Sequence, residues 1–211
     1  MGVIKQGILG GFSGKVGPTV GSSWKGIAVI KSKPLSVTNP NTAAQQAQRG
    51  AMSQIVMVSR LLLAALIQPY WNPFAQRKSG YNAFVSENIA QFDATGLITP
   101  ASLFATRGSL LGQAVNTGAA SAGGNTVITT WVDNSGTSDA LGTDEAIVTY
   151  WNETQDYWVV DAGSAVRSAG TLTIADALVA LNDSLHVYLS FSRPDISKVS
   201  DSAYKAVTAI A

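Results

Sequence analysis

Gly10-Gly11-Phe12-Ser13-Gly14-Lys15 carries the glycines and the lysine of a loop that wraps a phosphate in backbone N–H groups. Such a loop needs a glycine five positions ahead of its Gly-Lys pair, where this chain has Leu9. It also needs a Ser or Thr after the lysine, where this chain has Val16. Both requirements fail, so the stretch reads as a turn. The lone histidine, His186, alternates with Leu185, Val187, Leu189 and Phe191, which predicts an imidazole pointing away from the core into solvent. One imidazole with no cysteine in the chain cannot build a His- or Cys-based zinc site. Nor does its spacing single out a serine and a carboxylate as triad partners. Asp133, Asp139, Asp144 and Glu145 fall in or near one inter-strand loop without the ligand spacing of a calcium loop. No pair of acids stands out for glycoside hydrolysis. The residues therefore offer no catalytic set, no metal site and no cofactor site, and the chain is expected not to be an enzyme.

Charge is more informative. Nine cations and no anion precede Glu87, whereas five cations and thirteen acids lie from Glu87 onward. Asymmetry of this kind points to an interaction surface rather than to a fold. Phe12, Lys15, Trp24, Lys25, Lys31 and Lys33 are the candidate interface residues, cations interleaved with the aromatics of the N-terminal stretch. The same pattern fits single-stranded nucleic acid, but the cations are sparse and no nucleic-acid module fits, so that partner is not favoured. Charged residues make up only 13% of the chain, about half the usual share, which leaves neutral surface for subunits to cover. The longest apolar run, Leu61 to Ile67, is too short for a membrane span. The first residues lack the continuous apolar stretch of a signal peptide, so a cytoplasmic origin is expected.

The elements that must position these residues change character along the chain. Residues 1–38 are glycine-punctuated and rich in β-formers, which predicts two or three short strands forming an arm. Asn39-Pro40-Asn41-Thr42 is a helix start. Ala44, Ala47, Ala51, Ile55, Val58, Leu62 and Leu66 then recur at helical steps, predicting an amphipathic helix of about 25 residues ended by Pro69. A second helix is expected over Gly80 to Phe92. After Thr99-Pro100 the period changes to two. Strands are predicted near 109–115, 127–132, 146–151, 157–160, 171–174, 185–191 and 203–208. Seven short strands separated by turn clusters make an α+β, mainly β chain that ends in a β-sandwich of the immunoglobulin or fibronectin type III kind, with Trp131 in its core. Two domains are expected: a basic arm and helical part over 1–100, and an acidic sandwich over 101–211 that closes its core alone.

Lys5-Gln6-Gly7-Ile8-Leu9-Gly10-Gly11-Phe12-Ser13-Gly14-Lys15-Val16-Gly17, continuing to Gly21-Ser22-Ser23-Trp24-Lys25-Gly26, resembles the opening of a family of uncharacterised proteins from Bacteroidota and their phages. The resemblance extends to Arg107-Gly108-Ser109-Leu110, Trp131-Val132-Asp133-Asn134-Ser135-Gly136, Arg167-Ser168-Ala169-Gly170 and Val199-Ser200-Asp201-Ser202-Ala203-Tyr204. One departure is Ile196-Ser197-Lys198, where an acidic-glycine turn would follow Asp195. The resemblance implies a Bacteroidota or phage source and transfers no catalytic residue. Together with the charge split it implies a self-assembling structural protein, a tail, capsid or decoration component of a virion, with partners among its own copies and other virion proteins. The alternative is a surface- or carbohydrate-binding module that grips its ligand near Trp151, Tyr157 and Trp158.

Overall fold

The computed structural model describes residues 2–3, 13–25, 27–34, 36, 40–113, 117–121 and 125–210. They fall into two compact units, Met1–Thr42 and Ala43–Ala211. The first unit is one antiparallel sheet of β1 (Gly2–Val3), β2 (Gly14–Val16), β3 (Thr19–Trp24) and β4 (Ile27–Ser32), in the order β1-β4-β3-β2. Gly17 and Pro18 join β2 to β3, and Gly17 takes the positive φ of 57° that so tight a hairpin demands. Lys15 pairs with Val20 and Val20 with Lys31, so these three side chains stand side by side on one face. Among the residues of this unit whose burial is described, only Gly21 is buried.

The second unit has three layers. A three-stranded sheet, β5 (Thr117–Ser121), β6 (Thr126–Thr130) and β9 (Thr171–Ala175), runs in the order β5-β6-β9. A four-stranded sheet of β7 (Glu145–Asn152), β8 (Tyr157–Val166), β10 (Ser184–Ser192) and β11 (Ala203–Thr208) runs β11-β10-β7-β8. Val127, Leu172 and Ile174 of the first sheet pack with Val148, Leu185, Val187, Leu189 and Phe191 of the second. Trp131 is buried there as expected, edge-on to Phe191 at 5.6 Å between ring centroids. Among the described residues the strand count of seven holds, but no strand lies over 109–113, and 114–115 fall outside the described residues. Leu110 makes only an isolated parallel bridge to Ser200, and β5 follows it. The reason lies in the backbone on either side. Thr106 donates its hydroxyl to the Ser200 carbonyl at 2.9 Å, and the Gly108 N–H donates to Asp201 Oδ1 at 2.9 Å. The chain approaches so closely at Gly108 that a Cβ there would lie 2.1 Å from the Val199 carbonyl oxygen.

Helices form the third layer, on the other face of the four-stranded sheet. α1 (Ala43–Leu61) is followed by a π turn at Leu63–Ile67, α2 (Gln68–Tyr70) and α3 (Gly80–Asn88). The expected continuous helix to Pro69 is broken because Leu66 and Ile67 both donate to the Leu62 carbonyl at 3.0 Å. The two segments meet at a bend of 70°, and among the described residues no single helix is long and apolar enough to cross a membrane. Of the predicted stripe, Ala44 and Ala47 are exposed while Ala51, Ile55, Leu62 and Leu66 are buried. These join Ile67, Trp71 and Phe84 in a core completed by Ile147, Tyr188 and Val199 of the strand-rich half. Trp71 donates its indole N–H to the Ala105 carbonyl at 2.9 Å, and Tyr188 its hydroxyl to that of Pro100 at 2.8 Å.

This layer corrects two expectations. Residues 43–100 belong to the compact unit of the sandwich rather than to the arm, so the division falls after Thr42 and not after Pro100. β7 and β10 are buried along nearly their whole length because both of their faces are covered. His186 does alternate away from the sandwich core, but it points under other side chains and is only 8% exposed.

One end of the sandwich is closed by a charge network. Arg167 and Asp144 are each fully buried, 3.1 Å apart, and Arg193 reaches the other Asp144 oxygen at 2.6 Å. The guanidinium of Arg167 also donates to Asn134 Oδ1 at 2.6 Å and to the Leu111 carbonyl at 2.8 Å, and lies 4.0 Å above the Phe191 ring. Every member has a partner, the condition under which buried charge is tolerated.

Two predictions follow from this packing. A fragment of residues 101–211 exposes Ile147 and Tyr188 and will bind a hydrophobic dye and lose near-UV dichroism, while residues 43–211 keep a cooperative unfolding transition. Well-dispersed NMR spectra from the shorter fragment would refute this. Arg167→Met strands the Asp144 carboxylate beside Arg193 alone and should cost about 3–5 kcal/mol in denaturant unfolding.

Candidate functional site

The β7–β8 hairpin lifts two indoles out of the covered face of the four-stranded sheet. Trp151 pairs with Trp158 across the hairpin and with His186 on the other side, so the register lines up all three rings. Trp151 and Trp158 stack 5.9 Å apart at 13°, and Trp151 and His186 stack 5.3 Å apart at 24°. His186 then stacks on Tyr204 at 5.9 Å.

Hydrogen bonds fix this row. Glu153 can only accept when ionised, so His186 Nε2–H donates to Glu153 Oε2 at 3.1 Å. His186 Nδ1 then accepts from the Tyr204 hydroxyl at 2.7 Å. The bond from His186 holds the Glu153 carboxyl below its usual range. At the hairpin tip, Asp156 sits at a positive φ of 54° and accepts the Trp151 indole N–H at 3.2 Å.

Trp151, Glu153, Asp156 and Trp158 form one wall of a cleft of about 350 Å³, which is near the lower end of the roughly 300–1,000 Å³ usual for ligand pockets. α1 supplies Gln54, Met57 and Leu61 to the opposite wall, and the segment Phe92 to Leu97 closes one end. Gly50 allows that closure, since a Cβ there would come within 2.5 Å of the Ala94 side chain. Two carboxylates, Glu153 and Asp156, line the cleft, and no lysine or arginine does. The arrangement can stack flat or aliphatic groups on indole and pair positive charge with carboxylate. The imidazole has both nitrogens engaged, and the described residues contain no group of three or more His, Cys, Asp or Glu able to hold a metal ion.

The anticipated aromatic trio separates. Trp151 and Trp158 share the cleft, but Tyr157 alternates to the sandwich side, where its hydroxyl and that of Tyr150 both donate to Asp176 at 2.6 and 2.5 Å. Burial, reinforced by that acceptor, pushes the Tyr157 phenol up to about 12. Of the candidate interface residues, Phe12 lies outside the described residues. Lys15 and Lys31 are exposed on one face of the arm sheet, and Lys33 is exposed just beyond β4, its N–H donating to the Pro18 carbonyl at 2.7 Å. Trp24 pairs with Ile27 at the end of the β3–β4 hairpin, and Lys25 occupies the turn itself at a φ of 49°. The structure thus gathers Lys15 and Lys33 around the Gly17-Pro18 turn and leaves Lys25 at the far end of β3. Sequence reasoning did not find the His186–Glu153–Tyr204 chain or the α1 wall. The available signal was an aromatic ring or imidazole in each of β7, β8, β10 and β11, at Trp151, Trp158, His186 and Tyr204.

A family described as "Family of unknown function (DUF6266)" matches residues 11–206. No curated protein matches the chain. Among solved structures, the chain is similar to the FN1–FN3 domains of chicken CNTN1, with 13% identity, a TM-score of 0.37 and coverage of 49% of this chain and 34% of that one. It is also similar to a Fn3-like protein from Clostridium thermocellum, with 14% identity, a TM-score of 0.33 and coverage of 48% of this chain and 95% of that one. The chain therefore spans about a third of the length of the first.

The buried phenol gives a pH prediction. Between pH 10 and about 12 the folded chain keeps the Tyr157 proton that the unfolded chain releases, so stability is full below pH 10 and declines above it. Tyr157→Phe should flatten that alkaline decline in denaturant midpoints measured from pH 8 to 12; an unchanged slope would assign it to other groups.

Proposed function

The chain belongs to the DUF6266 family of unknown function, and we propose that it is a non-enzymatic structural protein that assembles through the sheet of Met1–Thr42. One observation carries this reading: in a four-stranded sheet, Gly21 alone is buried among the residues whose burial is described. A sheet gains its stability by laying an apolar face on another layer. Here one face presents Val20, Ile27 and Val29 beside Lys15 and Lys31, and a neighbouring molecule supplies the missing layer. The unit has five lysines and no acid, whereas residues 43–211 have nine cations and thirteen acids, so charge favours a head-to-tail meeting of copies. The finer reading is a virion component of a Bacteroidota phage, located in the virion; a chain outside that setting stays in the cytoplasm. A second reading, a carbohydrate- or surface-binding module, is favoured by the Trp151–Trp158 cleft.

Sedimentation velocity on nuclease-treated protein tests the assembly. The full chain should sediment as oligomers at low salt and disperse toward 0.5 M, where the Debye length is roughly 4–5 Å. Lys15→Glu with Lys31→Glu should disperse it at all salt concentrations without changing the unfolding transition, because exposed charges steer association more than they stabilise a fold. A full chain that stays monomeric at high concentration would count against assembly and in favour of the binding module.

A further inference from the structure

We propose that the surface receiving the arm is the Trp151–Trp158 cleft of a second copy, entered by the β2–β3 hairpin tip with Lys15, Pro18, Lys33 and Pro34. This rests on the reading that the arm drives assembly, and it names the partner surface that reading leaves open.

The two surfaces match in chemistry. The tip gathers Lys15, Gly17, Pro18, Lys33 and Pro34 around one concavity, so two ammonium groups flank two pyrrolidine rings. Lys15 and Lys33 are exposed, and neither pairs with a carboxylate among the described residues. The cleft offers the converse: two stacked indoles, two carboxylates and no cation. Proline rings dock on aromatic-lined grooves with little entropy to lose, because their backbone is already restricted. A lysine stem packs on apolar side chains such as Met57 and Leu61 while its ammonium reaches the rim. Met57 and Leu61 are 53% and 63% exposed, which is apolar surface left open beside the indoles.

Glu153 is built to stay charged there. Glu153 is held below its usual pKa by the hydrogen bond from His186, and its side chain is still 52% exposed. Asp156 sits at the turn tip with one oxygen on the Trp151 indole N–H, so its other oxygen is available to an incoming ammonium. Because tip and cleft lie on different compact units, the contact is heterologous and propagates into a ring or a filament.

Charge exchange in the full-length chain tests this. Glu153→Lys with Asp156→Lys should weaken association at least about tenfold, and Lys15→Glu with Lys33→Glu should do the same. Near-UV dichroism and thermal unfolding confirm that each variant is folded. All four substitutions in one chain should restore oligomers at the wild-type salt dependence. Mixing the two double variants should likewise restore oligomers, built of alternating variants, since each tip then meets a cleft of opposite charge. Trp158→Leu, which keeps apolar volume without the indole, should also weaken assembly. The proposal is overturned if tip reversal disperses the oligomers while cleft reversal and Trp158→Leu leave them intact. In that case the arm still assembles but docks elsewhere. It is equally overturned if a soluble oligosaccharide saturates the cleft, followed by tryptophan fluorescence, and assembly persists. A wild-type chain that never associates removes the assembly reading itself.

Discussion

Arg167 and Asp144 meet with no exposed surface, and the loops at one end of the sandwich are arranged around that contact. The carboxylate takes the guanidinium on one oxygen and Arg193 on the other, and it also accepts the Leu141 N–H at 2.9 Å. The guanidinium in turn holds Asn134 and the Leu111 carbonyl, and its plane rests on Phe191. Charges taken out of water are tolerated only when such partners are all in place. The segments carrying Leu111, Asn134, Asp144, Arg167 and Arg193 are therefore constrained together, although they are far apart in sequence.

The same logic accounts for the family-like motifs, which work in pairs. Trp131 donates its indole N–H to the Arg167 carbonyl at 2.7 Å, so the stretch from Trp131 to Gly136 locks onto the stretch from Arg167 to Gly170. Gly136 and Gly170 supply the positive φ values, 81° and 71°, at which those two turns close. Arg107 to Leu110 and Val199 to Tyr204 form the second pair. The close approach at Gly108 and the bonds to Ser200 and Asp201 zip them together. Both pairs fix how the strand ends turn.

Covering the four-stranded sheet on both faces has a consequence at its margin. Where the helical layer stops short, the cross-strand row of Trp158, Trp151 and His186 passes from the interior into the cleft. A ring row buried at one end is held in place at the other, which presents the indoles and the two carboxylates without a large ordering cost on binding. The arm sheet is the opposite case, with Gly21 alone buried among its residues of described burial.

The sequence by itself determined the local elements. Period-two alternation located six of seven strands, helical steps located α1 and α3, and Trp131 was legible as core because it continues the alternation of Val127 and Thr129. The segregation of charge was likewise readable by counting. Only the tertiary structure decided which faces are covered, since alternation tells that His186 opposes Leu185 but not that helices lie over it. It also decided that residues 43–100 join the sandwich, that the helix breaks at Leu62, and that the first strand begins at Thr117. Each of those outcomes depends on contacts between residues distant in the chain, such as Thr106 with Ser200 or Ile55 with the core that includes Tyr188. A one-dimensional pattern records the period of an element and not what packs against it, so the cleft, built from α1, one loop and one hairpin, existed only once the chain had folded.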